Sequence, residues 1–547
     1  MDIKSELGPV FAGDIAQDDA TLETNSEDTS IFKIRPSCVV SPKHVADLSA
    51  LIHFAHKHRG EVSITARSAG TDMSGGPLTS SIVIDFLRYF NQIHEVTHEH
   101  VVTEPGVFYR DFDKETLKHG VILPSYTASR ELNTVGGMVA NNSAGEKSLT
   151  FGKTERYVKV LKVVLQDGIE YEFKKLSRPE FEAKKVQDNY EGEVYRRVEG
   201  LILENNEIIK KEKPIVSKNS AGYGIWNVWN QAEDTFDLTQ LFVGSQGTLG
   251  LISEITFSLV EPQNEARMLV LFLRARHMKQ LGEIVNTVLK SKPESFESYD
   301  DKTFNVMLQV FPKLFMRLGG NPFKIAKDFW PELKMVMTGG IPKLVLMAEF
   351  TGTDEAEVVS RTKAAEAMIK SIYDVSTHVT STKKEGDKFW IIRRESFKLL
   401  RENVHGRHTA PFIDDMSVRP EYLPEFLPKL YAILDEYNLL YTMAGHVGDG
   451  NFHIIPLMNF GRPDFADVIN QLSERVYTLV GEYHGSITGE HNDGIIRTPY
   501  LHKMFSGEML NVFSEIKEIF DPHRIFNPHK KVDASMELLK NSIKQQS

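Results

Sequence analysis

A chain of 547 residues with a net charge of −11, 41% hydrophobic and 25% charged residues has the make-up of an ordinary globular protein of about two to four domains. The acidic balance argues against a nucleic-acid partner, whose recognition rests on basic surface, but it leaves room for a small anion held by local positive charge. The one cysteine, Cys38, excludes an internal disulfide and a four-cysteine iron–sulfur cluster on this chain.

In chain order, the first thirty residues are acidic, carry no apolar core of signal-peptide length, and read as a tail or a docked helix. No window approaches the roughly 18 uninterrupted apolar residues of a membrane span. With no disulfide and no targeting segment, the expected location is the cytoplasm, with peripheral membrane association left open. Next, "CVVSP" and "VSITAR" read as strands, and "HVADLSALIHFAHKH" between them has the spacing of an amphipathic helix. "SIVIDF", "HVVTEPGV" and "VKVLKVVLQDG" are further β-branched runs. They predict an α+β domain closing near "GSQGTLGLISEITFSLV". Beyond Glu261, "ARMLVLFLRA" and "KLVLMAEFTG" read as buried strands. "AEVVSRTKAAEAMIKSIYD" and "PEFLPKLYAILDEYN" read as helices. The pattern predicts an antiparallel sheet with helices on one side. "PKLFMRLGGNPFKIAKDFWPELKMVM" fits a buried helical pair or a membrane-facing patch.

Three loops are rich in glycine and short polar residues. "RSAGTDMSGG" joins two strands and can curl its N–H groups into an anion nest, although a plain connection has the same composition. It lacks both the Walker pattern, with Pro77 in the lysine's place, and the G-x-G-x-x-G of a Rossmann helix. "TVGGMVANNSAGEK" and "GSQGTLGLISEIT" follow. Three such loops suit a long ligand with phosphates at one end and a flat ring at the other.

These loops, with "KNSAGYGI", resemble the flavin-binding half of the vanillyl-alcohol-oxidase-type FAD proteins. "AGHVGDGNFHIIP" and "SITGEHNDGIIRTPYL" narrow the resemblance to the FAD-linked D-2-hydroxy-acid dehydrogenases, a group holding D-lactate dehydrogenases, glycolate oxidase flavoprotein subunits and D-2-hydroxyglutarate dehydrogenases. It spans about Ile31 to Val532. It implies an α+β fold: a two-subdomain PCMH-type FAD-binding domain (31–261) after the N-terminal segment (1–30), a cap domain with an antiparallel sheet and a metal site (262–500), and a C-terminal helical segment (501–547) packing back on the FAD domain. By position it assigns the pyrophosphate to Arg67, Ser68, Ala69, Gly70, Thr71, Asp72 and Ser74. The flavin falls to Pro124, Thr134, Gly137, Asn141, Ser143, Gly145, Gly247 and Ile252. Thr71 stands where some relatives attach FAD through a histidine, so the FAD is expected to be non-covalent.

His446 and His453 in "AGHVGDGNFH" are seven residues apart, which on one unbroken strand would put them on opposite faces. "GDGN" is a strong turn signal, and a reversal there brings the rings together. Two hydrogen-bonded histidines in a glycine turn are the plainer reading. With Glu490 of "SITGEHNDG", two imidazoles and a carboxylate match an open divalent site, and the resemblance implies that this trio binds zinc or manganese. It also implies that His491 is the base, that Asn451 orients the substrate, and that Arg393 of "FWIIRRES" clamps the substrate carboxylate. Arg394 is expected to be a surface charge, with Lys218 and Arg497 structural. Relatives acting on D-2-hydroxyglutarate carry a lysine in "KYDxS" where Ile413 stands here, which favours D-lactate or glycolate. His405 and His408 bear on the same pocket. With Cys38 as the one cysteine, too few for an iron–sulfur segment, the electron acceptor is expected to be external: a cytochrome, a quinone, an electron-transfer flavoprotein, a partner subunit or oxygen. A homodimer is compatible with the sequence.

Overall fold

A computed structural model describes residues 3–301, 341–403 and 408–544. "PKLFMRLGGNPFKIAKDFWPELKMVM" and His405 lie outside the described residues. The chain divides into two compact units: Met1–Gly145, Phe151–Pro262 and His484–Ser547 form the first, and Glu146–Thr150 with Gln263–Tyr483 the second.

The first unit holds two sheets. In one, β1 (Asp14–Ala16), β2 (Cys38–Ser41), β3 (Ile64–Arg67) and β4 (Ile82–Asp85) lie in the order β1-β2-β4-β3, with β2, β4 and β3 parallel and β1 antiparallel to β2. The parallel runs are short and β-branched because both faces are covered. The helix Val45–Lys57 sends Leu48, Leu51, Ile52 and Ala55 into the same core as Ile64, Ile82 and Ile84. Of the two readings of the N-terminal segment, tail or docked helix, the structure has the second at its start: the helix Ile3–Leu7 buries Ile3 and Leu7 in this core with Phe11, and β1 pairs along β2.

The other sheet is antiparallel. Its strands are β5 (Ile93–Val96), β6 (His100–Thr103), β7 (Val158–Val164), β8 (Glu170–Ser177), β9 (Trp229–Asn230), β10 (Thr235–Asp237) and β11 (Leu251–Ser258), in the order β5-β6-β11-β7-β8-β10-β9. Along β11 alternate residues are buried, the period-two pattern of a strand covered on one side. Val164 and Leu251 reach the first sheet's core.

The return to the first unit falls at His484, ahead of the boundary at 500 drawn from sequence. The reason is local bonding. Ser220 N–H donates to the Thr488 carbonyl, Lys153 Nζ to the Gly489 carbonyl, and Asn492 Nδ2 to the Gly244 carbonyl. Further on, Ile64 N–H donates to Ile525 and Asn527 N–H to Ile64, so the last segment lies along the edge of β3.

The second unit is built on β12 (Glu265–Leu273), β13 (Ser295–Asp300), β14 (Leu344–Gly352), β15 (Ser376–Val379), β16 (His408–Thr409), β17 (Met416–Ser417), β18 (Leu440–His446) and β19 (Asn451–Met458). The order is β15-β12-β14-β13-β18-β19-β16, antiparallel throughout, with β17 also pairing β19. Helices pack on both faces, where sequence predicted one. The helix Glu355–Ile372 sets Val358 against Gly352. Phe389 and Trp390, on the helix Lys383–Asn403, pack with Val345 and Met347, which have the opposite parity along β14 and so face the other way.

Candidate active site

The loop after β3 leaves Arg67 and bends at Gly70 (φ +64°) and Gly75 (φ +81°). Asp72 shapes it. One carboxylate oxygen accepts from Ser74 N–H (3.0 Å), Ser74 Oγ (2.7 Å) and Gly76 N–H (2.8 Å), and the other from Asn141 Nδ2 (2.7 Å). Among the described residues, the N–H groups of Ala69, Gly70 and Thr71 find no acceptor, and buried Arg67 Nη1 has no hydrogen-bond partner. Free N–H groups beside a guanidinium are the donor set a pyrophosphate needs, so the residues present fit that group.

Ser68 Oγ lies 2.6 Å from Thr134 Oγ1, which in turn accepts from Gly137 N–H and so caps the helix Val135–Asn141. A Cβ on Gly137 would meet these two oxygens at 3.3 and 3.4 Å; one on Gly145 would strike the Tyr126 carbonyl at 2.1 Å. Both glycines stand where a side chain has little or no room. Pro124 is buried, and Ser143 accepts through its carbonyl from Thr154. Gly247 is left-handed (φ +69°), and Ile252 sits on β11 opposite Val163.

Elsewhere in the first unit, Glu490 is buried. Its Oε2 accepts from Lys218 Nζ at 3.0 Å, and its Oε1 lies 3.6 Å from His491 Nε2. Lys218 is fully buried, so the pair is a desolvated ion pair. Arg497, also fully buried, donates to the Asn492 carbonyl.

In the second unit, β18 ends at His446, Val447–Asp449 turn, Gly450 adopts φ +63°, and β19 begins at Asn451. Ala444 pairs with His453 and His446 with Asn451. Residues 444 and 446 share a face, so both histidines do, and their ring centroids lie 5.3 Å apart at 86°. The turn therefore undoes the opposite parity of the unbroken chain.

Each imidazole is held by a buried carboxylate. His446 Nδ1 is 2.5 Å from Glu297 Oε1, and His453 Nδ1 is 2.9 Å from Asp414 Oδ1. A proton on Nδ1 donated to a carboxylate places the lone pair on Nε2, the arrangement metal-binding histidines use. An Nε2 lone pair so presented is a donor that a divalent ion accepts. Asn451, fully buried, donates to Asp415 Oδ1 and the Met416 carbonyl, both at 3.1 Å. Asp415 adopts φ +75°, a strained conformation of the kind found at functional sites.

The strand register extends this face. Glu297 opposes Met347, Ser295 opposes Glu349, and Tyr299 opposes Ala444, so Glu349, Glu297, His446 and His453 all point the same way. Burial raises the Glu349 carboxyl to about 7 against the hydrogen bond from Trp390 Nε1. Arg393 Nε lies 3.4 Å from Glu297 Oε2. Arg394 is not a lone surface charge: it forks onto Glu146 and lies over the Trp390 ring. Ile413 is fully buried and His408 exposed. Sequence reasoning missed Glu297 and Asp414. The only signal was an acidic residue inside an otherwise apolar or paired segment.

Comparison with known proteins agrees with these loops and this sheet. Residues 36–174 match the FAD binding domain and residues 261–531 match the FAD linked oxidases, C-terminal domain. The class is thus a two-domain flavoprotein. More particularly, the chain belongs to the FAD-linked oxidoreductase family that has D-2-hydroxy-acid dehydrogenases among its members. It is 26% identical over 536 residues to D-2-hydroxyglutarate dehydrogenase of Escherichia coli strain K12, covering 95% of this chain and 50% of that protein; the chain spans about half the length of that relative. It is 25% identical to glycolate oxidase subunit GlcD of Bacillus subtilis, covering 97% and 96% of the two chains. In fold it resembles 4-ethylphenol oxidase from Gulosibacter chungangensis, with a TM-score of 0.68 at 14% identity over 98% and 97%. Among the described residues, no helix is long and apolar enough to cross a membrane.

Proposed function

We propose that this protein oxidises a small D-2-hydroxy acid to its 2-oxo acid, with D-lactate or glycolate favoured. The observation that carries the reading is the pair of imidazoles on one sheet face, each with Nδ1 on a buried carboxylate, beside Arg393. FAD would accept the hydride from Cα, and a divalent ion, zinc or manganese, would offer charge to the hydroxyl oxygen. His446 and His453, with Glu490, would hold the ion. Arg393 binds the carboxylate in two-pronged fashion. His491 takes the hydroxyl proton, and Asn451, fixed by Asp415 and Met416, keeps the substrate oriented. The FAD is held non-covalently, with Thr71 in the loop. The electrons leave to an external acceptor: a cytochrome, a quinone, an electron-transfer flavoprotein or a partner subunit.

The second reading is a D-2-hydroxyglutarate-type dehydrogenase, supported by the E. coli relative's name. Against it stands Ile413, an apolar, fully buried side chain where a distal carboxylate would need a cation.

The test is turnover by protein replete with FAD and metal, using an artificial dye as acceptor and measuring the 2-oxo acid formed. D-lactate or glycolate should turn over and L-lactate should not. Preference for D-2-hydroxyglutarate would move the assignment to the second reading. Turnover only of alcohols lacking a carboxylate would overturn both.

A further inference from the structure

Glu297 touches both His446 and Arg393. It sits on β13, where every residue is buried, and is itself 1% exposed. A carboxylate so placed is unfavourable unless its oxygens are matched by positive or donating groups. Here Oε1 takes the Nδ1 proton of His446 at 2.5 Å, and Oε2 stands at ion-pair distance, 3.4 Å, from Nε of Arg393. The two partners come from different elements, a strand end and the helix Lys383–Asn403. Asp414 gives a natural contrast, because its ion pair is with the other imidazole, His453.

We infer that Glu297 is a positioning residue shared by the metal-binding and carboxylate-binding parts of the site. One oxygen sets the tautomer and aim of His446, and the other fixes the Arg393 guanidinium. A single side chain therefore relates the cation to the acid group of the substrate. This rests on the functional reading above. It adds that metal affinity and substrate affinity respond together to one residue that touches neither ligand.

The experiment uses the full-length holoprotein with zinc or manganese chloride as the metal probe. Glu297→Gln should lower metal affinity, measured by chelator competition, about tenfold or more. At saturating metal it should also raise KM for the 2-hydroxy acid about tenfold, with a smaller change in kcat. Asp414→Asn should lower metal affinity likewise but leave KM at saturating metal within about twofold. Unchanged metal affinity in Glu297→Gln, or an unchanged KM at saturating metal, overturns the inference. So does an equal rise in KM in both variants. Flavin content and melting temperature report folding. If Glu297→Gln does not fold, Glu297→Asp keeps the charge but is too short to reach both partners, and the same two readings apply. Failure of the functional reading is separate: the wild type would then turn over none of the acids, while the metal titrations still report on Glu297 and His446.

Discussion

His446 and His453 owe their proposed role to what stands behind them. A histidine whose Nδ1 faces bulk water can present either nitrogen; one whose Nδ1 donates to a buried carboxylate presents Nε2. The histidines were legible in "HVGDGNFH" because both lie in one short motif. Their carboxylates were not, because Glu297 and Asp414 are 149 and 39 residues away in sequence and only strand register brings them in. His446→Ala is expected to lower bound metal per chain while FAD content stays the same; elemental analysis showing unchanged metal would remove it from the ligand set. His491→Ala is expected to keep its FAD and to slow flavin reduction by about 100-fold to 10,000-fold. Rapid-mixing absorbance would show this, and reduction at the wild-type rate would take the base role from His491.

Among elements, the hairpin of β18 and β19 brings three of the proposed site residues, His446, Asn451 and His453, together on a short stretch of chain. Gly450 permits it: φ is +63°, and a Cβ there would lie 1.8 Å from the Val418 carbonyl. Gly450→Ala adds positive-φ strain to a backbone collision. It should cost about 2–4 kcal/mol of stability, read by denaturant unfolding, together with a loss of bound metal. A variant of wild-type stability would mean the turn has another conformation available.

The segment from Asp28 to Ser30 shows electrostatics at the same scale. Asp28 is buried beside the glycine-rich loop that follows β3, accepting from Ser30 and Gly75 N–H. Burial, reinforced by the nearby charge of Asp72, lifts its carboxyl from 3.8 to about 7. A group with a raised folded-state value binds its proton more tightly folded than unfolded. Its favourable contribution is therefore complete below about pH 4 and is lost as pH rises through about 7. The stability difference between wild type and Asp28→Asn should shift against the wild type across that interval and level off above it. Parallel curves from pH 4 to 8 would contradict this. The raised carboxyl was not legible in the acidic N-terminal sequence, which reads as a tail or a docked helix and shows nothing of what would bury Asp28. The docking of Ile3, Leu7 and Phe11 depends on a core assembled from later strands.

For the molecule as a whole, the α+β class was legible in the way glycine-rich loops and short β-branched runs give way to long apolar strands and amphipathic helices. Periodicity could not show that the chain comes back at His484, because that return is made by backbone and side-chain bonds to Asn219, Ser220 and Gly244. Nor could it show that residues Glu146–Thr150 belong with the second unit. There Ser148 Oγ donates to Asp449, and Lys147 pairs with Glu294.

The central claim is that bound FAD takes a hydride from the carbon bearing the hydroxyl of a small D-2-hydroxy acid. Its most direct test is flavin absorbance under anaerobic conditions, in metal-replete protein mixed separately with D-lactate, L-lactate, glycolate and D-2-hydroxyglutarate, with no dye or other acceptor present. The account predicts that D-lactate or glycolate bleaches the oxidised flavin band and L-lactate does not. An oxidised spectrum unchanged by all four acids would contradict it.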